Sequence, residues 1–565
     1  MASVYNYEPL YDSRNIRVLD LLPSSFDDPV IHCRMRHITL GSSGSKTEPF
    51  DAISYTWGNY NPRRGIHCNE RNDQLQVSHN CYNVLRYLRC KDKPRTVWID
   101  AICINQSDIA EKTCQVKIMG EIYATASTTF VFLGEPTQTS QTLFQHLDQI
   151  HQQAGHSTAS SPHLTADIVH ATEDLFRLPW FSRSWVVQEL VRSPHPIFMC
   201  GHDTVTFEAL SHFLYRGDQN MRFLRKFPVP IELKDEHFQS PLEMCSTAAQ
   251  QLFLLEVGTG LCQSTVPHDR VLSLTPLVTI GLSTLESLID YEQSVEELFY
   301  KFALLALSDG VGLALLSMIR GPHSNAGLPS WVPDLTNNAN RSRLIPHYPV
   351  FFEDHFEFEF IQYFRVQSHD EVHDLASNQL ILNGRRYGRI AEQGPVILIN
   401  QTNAPSKIAS VNDLVTLLDT IRCGVDGNIQ GWPASIRQAI RGMSKTDIST
   451  FLRSGIEHEL HSTTIDEPIS YNVAVGCHET RVFITSEGNL GLCPEAAQKN
   501  DLVCLIKGAI EPCVLREKGN GQWILVTGDC LLLEIEHGYA KGNGVGVWEY
   551  IDNLLYGSLE EFRIC

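Results

Sequence analysis

The N-terminal part of the chain repeats one arrangement, a short apolar run that ends on polar residues. NIRVLDLLP and VIHCRMRHITL alternate like two strands on either side of the turn-rich SSFDD. FDAISYTWGN (Phe50 to Asn59) predicts a short strand running into Trp57-Gly58, with the polar loop NYNPRR behind it. GIHCNERNDQLQV alternates around a turn at Asn69 to Asp73, the pattern of a hairpin. SHNCYNVLRYLRC reads as a helix, with Ser78 or Asn80 as N-cap and Val84, Leu85 and Leu88 on one face. TVWID (Thr96 to Asp100) has the composition of a buried strand, and AICINQ follows it. Asp108 then stands three residues before Glu111, a capping-box start, and Ile109, Val116, Met119, Ile122, Tyr123 and Ala126 fall at helical spacing. TTFVFLG is the next strand, and the polar stretch Thr137 to Ala171 reads as an insertion or a helix with loose flanks. Strand–helix alternation from Phe50 to Leu190 predicts a mainly parallel sheet with helices on its faces.

Further along, the period changes. From about Thr206 to Ile319 the pattern is helical, and Ser294 with Glu297 opens DYEQSVEELFYKFALLAL with a second capping box. GLPSWVPDL (Gly327 to Leu335) is a proline-bounded connector. Beyond Leu344 the chain turns β-rich, with a helical stretch near Ser406 to Leu460. In its last part, turns at Glu487-Gly488-Asn489 and Gly519-Asn520-Gly521 separate short alternating runs, which predicts an antiparallel β-domain or barrel. The expected organisation is an α/β domain at 1–205 (core 50–190, N-terminal strands 1–49), a helical middle at 206–335, and a mixed, then β-rich region at 336–565. No repeat of fixed period is visible.

Composition narrows the function classes. At 565 residues the chain exceeds one ordinary core, so several domains are expected. A net charge of -20 argues against non-specific binding to nucleic acid or anionic lipid. The 16 cysteines include no C-x-x-C pair, which fits free thiols in a reducing compartment. The start lacks a basic segment followed by an apolar run, and no apolar stretch reaches the length of a spanning helix, so a cytoplasmic protein with no membrane span is expected. Cys103, Cys114, Cys200 and His202 lack metal-ligand spacing, and no metal site is expected. GNGVGVW (Gly542 to Trp548) has no helix behind it to hold a phosphate and reads as a turn. G-x-S-x-G, P-loop and H-E-x-x-H motifs are missing.

Candidate chemistry concentrates between Arg95 and Leu190. RTVWIDAICINQ, STTFVFLGEP and LPWFSRSWVVQEL each place polar residues where an apolar run stops, as strands do when they deliver side chains to a crevice at their carboxyl ends. With SYTWG, the long run VWIDAICINQSDIAEKTCQVKIMGEIYATASTTFVFLG and FSRSWVVQEL resemble the consecutive motifs of the fungal HET (heterokaryon incompatibility) domain, over about Asp51 to Leu190. YNYEPL, HDRVLSLTPLV, DYEQSVEELF, LPSWVPDL and GLCPEAAQKNDLVCLIKG are similar to flanking pieces of full-length HET proteins. The resemblance implies a role in fungal non-self recognition and cell death, with other incompatibility proteins or self-association as partners.

HET domains in turn distantly resemble Toll/interleukin-1-receptor (TIR) domains. FDAISYTWG stands in the place of the first TIR strand, TVWIDA of the second and STTFVFLG of the third, and SWVVQEL falls where a tryptophan-led helix carries the glutamate used to hydrolyse NAD. Carried over by position, that glutamate is Glu189. The resemblance makes Tyr55, Trp57, Gly58, Asp100, Asn105, Gln106, Arg183 and Trp185 candidates for holding the nucleotide, with NAD as substrate and no resident cofactor. In NAD the leaving nicotinamide departs neutral, so no acid is needed, while an oxocarbenium develops on the ribose. One ionised carboxylate beside the sugar would stabilise it, and Arg183 or Arg192 would keep Glu189 ionised. Trp57 or Trp185 would stack on a ring, Gly58 would let the backbone approach, and Asn105 and Gln106 suit ribose or amide recognition.

Each residue also has a structural reading. Glu189 can pair with Arg192 at i, i+3 on a helix surface, worth about 0.2–0.5 kcal/mol. Trp57 and Trp185 can be core aromatics. Asp100 can brace its loop, Asn105 can be a turn residue and Asp108 an N-cap. A non-enzymatic interaction module is the alternative to the enzyme.

Overall fold

A computed structural model of the chain describes residues 5–41, 46–58, 63–68, 73–153, 165–216, 234, 245–259, 262–321, 323, 327–336, 378–397, 418, 421–423, 431–443, 479–509, 511–532, 555 and 558–565. Its contacts divide the chain into two units, 1–239 with 261–293, and 240–260 with 294–565. The segment expected as a helical middle is therefore shared between them.

The first unit is built on a nine-stranded mixed sheet. Its strands are β1 (Asn15–Leu21), β2 (His32–Thr39), β3 (Asp51–Tyr55), β4 (Arg64–Cys68), β5 (Asp73–Val77), β6 (Arg95–Trp98), β7 (Thr128–Gly134), β8 (Pro196–Cys200) and β9 (Asp203–Thr206). They lie in the order β5-β4-β2-β1-β6-β3-β7-β8-β9. Only the centre, β6-β3-β7-β8, is continuously parallel. The expectation of a mainly parallel sheet needs correcting at the flanks. There β1 pairs antiparallel with both β2 and β6, and β4–β5 and β8–β9 are antiparallel hairpins. The hairpins need only short turns, whereas the central parallel pairs are joined through helical crossovers between Phe50 and Leu190; β2 and β4 also pair in parallel, with β3 between them in the chain. Within the parallel centre the chain order is second, first, third, fourth, so the winding direction reverses beside β3. Ligands of open α/β sheets bind at the carboxyl ends of strands at such a reversal.

Seven helices of this unit are used below: α1 (His79–Leu88), α2 (Asp100–Cys103), α3 (Ile109–Thr125), α4 (Gln138–Gln153), α5 (Ala166–Phe176), α6 (Trp185–Arg192) and α7 (Phe207–Arg216). The two anticipated caps form: Ser78 accepts from the Cys81 N–H at 3.2 Å, and Asp108 from the Glu111 N–H at 3.0 Å. Ile109, taken as part of the apolar face, is 54% exposed, because it occupies the first turn of α3 beyond the edge of the core. The polar stretch Thr137 to Ala171 holds α4 and the start of α5, with 154–164 outside the described residues. One core cluster joins β1, β3 and β6 to α1 and α3, and a second packs α4, α5, α6 and α7 around Val131 and Phe198.

Residues 262–293 complete the unit. Gln263 exchanges backbone hydrogen bonds with the turn before α6, from its own N–H to Ser182 O and from the Ser184 N–H to its carbonyl. Arg192, at the end of α6, donates to the Pro276 carbonyl from Nε at 2.9 Å, and Lys112 of α3 lies 4.5 Å over the Tyr291 ring.

The second unit is β-rich, as expected. Its strands are β10 (Leu380–Gln393), β11 (Thr480–Thr485), β12 (Leu490–Pro494), β13 (Leu502–Ile506), β14 (Cys513–Gly519), β15 (Gln522–Thr527), β16 (Leu531–Leu532) and β17 (Glu560–Ile564). They lie in the order β13-β14-β15-β17-β10-β11-β12-β16, and an additional β13–β10 pairing closes the first five into a ring. The long β10 serves β17 with its first half and β13 and β11 with its second, shifting register between Arg386 and Gly388. Gly384 is required there, since a Cβ would lie 2.5 Å from the Leu505 carbonyl oxygen. Both anticipated turns form, with positive φ at Gly488 and through Gly519, Asn520 and Gly521. Two helices of this unit, Ala248–Gly258 and Val295–Ser308, are linked by the bond from Thr247 Oγ1 to Asp309 O at 2.6 Å, and Ser294 caps the second as expected. Within Ser406 to Leu460 a helix is described at Ala434–Arg441. GNGVGVW lies outside the described residues, as do 59–62 and 69–72 of the predicted loop and turn.

Candidate active site

Glu189 sits on the buried face of α6, between Gln188 and Leu190, and only 3% of it is exposed. It does not pair with Arg192, which is held by Pro276. Its Oε2 instead accepts the hydroxyl proton of Ser54, the penultimate residue of β3. Ser54 Oγ in turn accepts from the indole N–H of Trp180 at 2.7 Å. All three side chains are buried. Glu189 Oε1 has no hydrogen-bond partner among the described residues, so this oxygen keeps its full accepting capacity. Burial pushes the carboxyl up to about 7, against the nearby Arg183 charge and the Ser54 hydroxyl, while the charge of Asp100 pushes the same way. A permanently ionised Glu189 is thus not what burial leaves. At neutral pH the group stands near its midpoint. The sequence pattern does not single out Ser54 or Trp180. A small hydroxyl inside an apolar strand and a tryptophan after a proline both read as core.

Asp100 follows β6 and starts α2. Its Oδ2 accepts the Trp57 indole N–H at 2.9 Å and its Oδ1 the Ala101 N–H at 2.7 Å. Burial still pushes its carboxyl above the usual range, opposed by Arg183 and by these two donors. Arg183, half-buried just before α6, donates to the carbonyl oxygen of Tyr55 at the end of β3. The one Arg183 charge therefore acts on two carboxyls, Asp100 at the start of α2 and Glu189 on α6, while its bond to Tyr55 fastens the turn before α6 to the central strand. Trp57 is half-buried, packed against the core with its N–H turned to Asp100. Gly58 has φ +69°, and a Cβ there would come within 2.8 Å of the Asn80 amide. Asn80 itself donates to the Thr56 carbonyl at 2.9 Å, fixing the loop that leaves β3.

The remaining candidates are placed differently. Tyr55 is buried; burial lifts its phenol well above the usual range and Cys81 lies against it. It belongs to the core under the site. Trp185 is half-buried, and its indole hydrogen-bonds Asp269, which also accepts from Tyr291 OH at 2.7 Å. Asn105 is the turn residue of its structural reading: its Oδ1 accepts from the Ser107 N–H at 3.2 Å and its carbonyl from the Asp108 N–H at 3.0 Å. Gln106 reaches back to the Asp100 carbonyl at 3.0 Å, so it steadies the backbone that presents the Asp100 carboxyl.

The AICINQ loop is pinned by a residue that strand alternation hides. Arg17 of β1 is fully buried and forks onto Glu111, with bonds of 2.6 and 2.9 Å, and onto the Cys103 carbonyl at 3.1 Å. Glu111 also accepts the Asn105 N–H at 2.7 Å. The glutamate of the capping box thus holds the loop to the sheet.

Residues 50–189 match the family model described as heterokaryon incompatibility protein (HET). Among characterised proteins, the chain is similar to heterokaryon incompatibility protein 6, OR allele, of Neurospora crassa, at 27% identity over 241 residues, which span 35% of each protein. The chain thus covers about a third of the length of that relative. No solved structure matches. The matched span contains Ser54, Trp57, Asp100, Trp180, Arg183 and Glu189, and it runs from the strand at the winding reversal to the helix that carries the carboxyl. This chain carries a HET domain.

Proposed function

We propose that this protein is a fungal incompatibility effector whose HET domain hydrolyses the N-ribosyl bond of NAD beside Glu189. The observation that carries the reading is the Glu189 carboxyl itself. It is a buried acid with one oxygen fixed by Ser54 and the other unpartnered among the described residues, beside a guanidinium and a second carboxyl. Such a group has an acidity poised for work near neutral pH. In the reaction the bond from ribose C1′ to the pyridinium nitrogen breaks and its electron pair leaves with nicotinamide. A water molecule adds to C1′ and releases its proton to solvent. Ionised Glu189 faces the positive charge that develops on the sugar. Trp57, with its N–H held by Asp100, offers a ring face to the nicotinamide. The resemblance of the strand segments and of SWVVQEL to the successive parts of TIR domains supports the same substrate. The setting is cytoplasmic, and the partners are other incompatibility proteins or further copies of this chain.

The alternative is an interaction module in which Glu189 is a buried structural carboxyl, and its 3% exposure favours it. NAD loss and nicotinamide release by the purified full chain, compared with Glu189→Ala, separate the two. The enzyme reading expects turnover that falls at least a hundredfold in the variant, a loss of about 3 kcal/mol or more of transition-state stabilisation. Equal consumption by both proteins removes Glu189 from the chemistry. No turnover by the wild type, with or without crowding agents that drive association, assigns the domain to the module.

A further inference from the structure

We infer that Ser54 and Trp180 form a directed hydrogen-bond relay that positions Glu189, so that the working carboxylate is set from β3 and not only from its own helix. The inference deepens the proposed reaction and rests on it for its kinetic consequence, while the relay has a direct readout of its own. The direction follows from donor chemistry. An indole nitrogen can only donate, so Trp180 Nε1 gives its hydrogen to Ser54 Oγ at 2.7 Å. The one hydrogen on Ser54 is then directed to Glu189 Oε2. All three groups are buried, Ser54 and Trp180 each at 1% exposure, so water does not compete for these bonds. The relay joins three separate parts of the domain: β3, the turn Pro179–Ser182 and α6. It acts on one carboxyl oxygen only. Oε2 is occupied, and Oε1 has no hydrogen-bond partner among the described residues.

Two consequences follow. A hydroxyl bonded to a carboxylate favours its ionised form, so removing it makes Glu189 harder to ionise. Trp180 does not touch Glu189 in the relay. It polarises the hydroxyl, and its effect must pass through Ser54. Both residues are therefore positioning residues.

The test is an infrared pH titration of the protonated-carboxyl band that Glu189→Gln abolishes, made on the full chain, with the pH profile of NAD cleavage recorded beside it. Ser54→Ala is expected to move the midpoint upward by about one to two pH units, since a hydrogen bond to a charged group is worth about that much. The rising limb of the cleavage profile should move with it. Ser54→Thr keeps the hydroxyl and is expected to restore the wild-type midpoint. Trp180→Phe should shift the midpoint in the same direction by a smaller amount, and should add nothing in the Ser54→Ala background. An unmoved midpoint in Ser54→Ala, or a Trp180→Phe shift that persists without Ser54, overturns the relay. If Ser54→Ala does not fold, the Ser54→Thr and Trp180→Phe pair decides: a shift in the second alone supports the relay, and any other result overturns it. Should the midpoints move as expected while no protein cleaves NAD, the proposed reaction fails and the relay stands. Should the wild type cleave NAD in a Glu189-dependent way while Ser54→Ala keeps its midpoint and profile, the relay fails and the reaction stands.

Discussion

A carboxyl group buried on an otherwise apolar helix face costs stability unless it stays neutral, and Glu189 shows the conflict directly. Its ordinary value of 4.5 rises to about 7 in the folded domain, mainly through burial. The native state therefore holds a proton that the unfolded chain has lost between those two values. The stability this proton provides is complete below about pH 4.5 and is lost as the pH rises through 7, a total of about 3 kcal/mol. Glu189→Gln removes the ionisation and keeps an oxygen that can accept from Ser54. The variant should melt above the wild type at pH 8, and the difference should shrink towards pH 5; a difference independent of pH would remove the linkage. The candidate residue itself came from the resemblance of SWVVQEL to the TIR helix start, since its pattern alone reads as a helix-surface charge. Its surroundings were not legible in the sequence. Ser54 lies in a strand, 135 positions away, and only folding brings it to the carboxyl.

At the scale of elements, the legible features were those decided by neighbours in sequence: the caps of α1 and α3, the hairpin turns of the second unit, and the parallel centre implied by alternating strands and helices. The features that escaped depend on which strand lies beside which. Arg17 is an example. Strand alternation would set an arginine towards solvent, yet β1 is inserted beside β6 and Arg17 points at the start of α3, where Glu111 neutralises it. This buried pair secures the loop that carries Asn105 and Gln106, and hence the backbone behind Asp100. Removing one partner leaves the other charge stranded, so Glu111→Gln or Arg17→Met should lower stability by about 3–5 kcal/mol, read from the urea midpoint. The double replacement Arg17→Met with Glu111→Leu leaves no stranded charge and should recover much of the loss. If the double variant is as unstable as the sum of the singles, the pair contributes through packing and not through charge.

At the scale of the whole molecule, the match at 50–189 stops short of the folding unit that contains it. The sheet extends beyond the match through β1, β2, β8 and β9, and the unit takes up 261–293 after leaving 240–260 to the second unit. A boundary near 205 is what the change of period suggests, because helical segments look alike wherever they pack. The side-chain contacts of 262–293 are specific to the site, however. Arg192 finds its acceptor in Pro276, Trp185 meets Asp269, and Gln263 holds the turn that carries Arg183. A fragment ending at 205 keeps Glu189 and Asp100 but strands the Arg192 guanidinium and frees the turn before α6. With two to three such bonds lost, at about 1.5–3 kcal/mol each where a charge is involved, it should melt about 10 °C or more below a fragment ending at 293. Circular dichroism melts of the two fragments measure this. Equal melting temperatures would make 262–293 a passenger on the surface of the domain. A large gap would place the working boundary of this HET domain about a hundred residues beyond its sequence match.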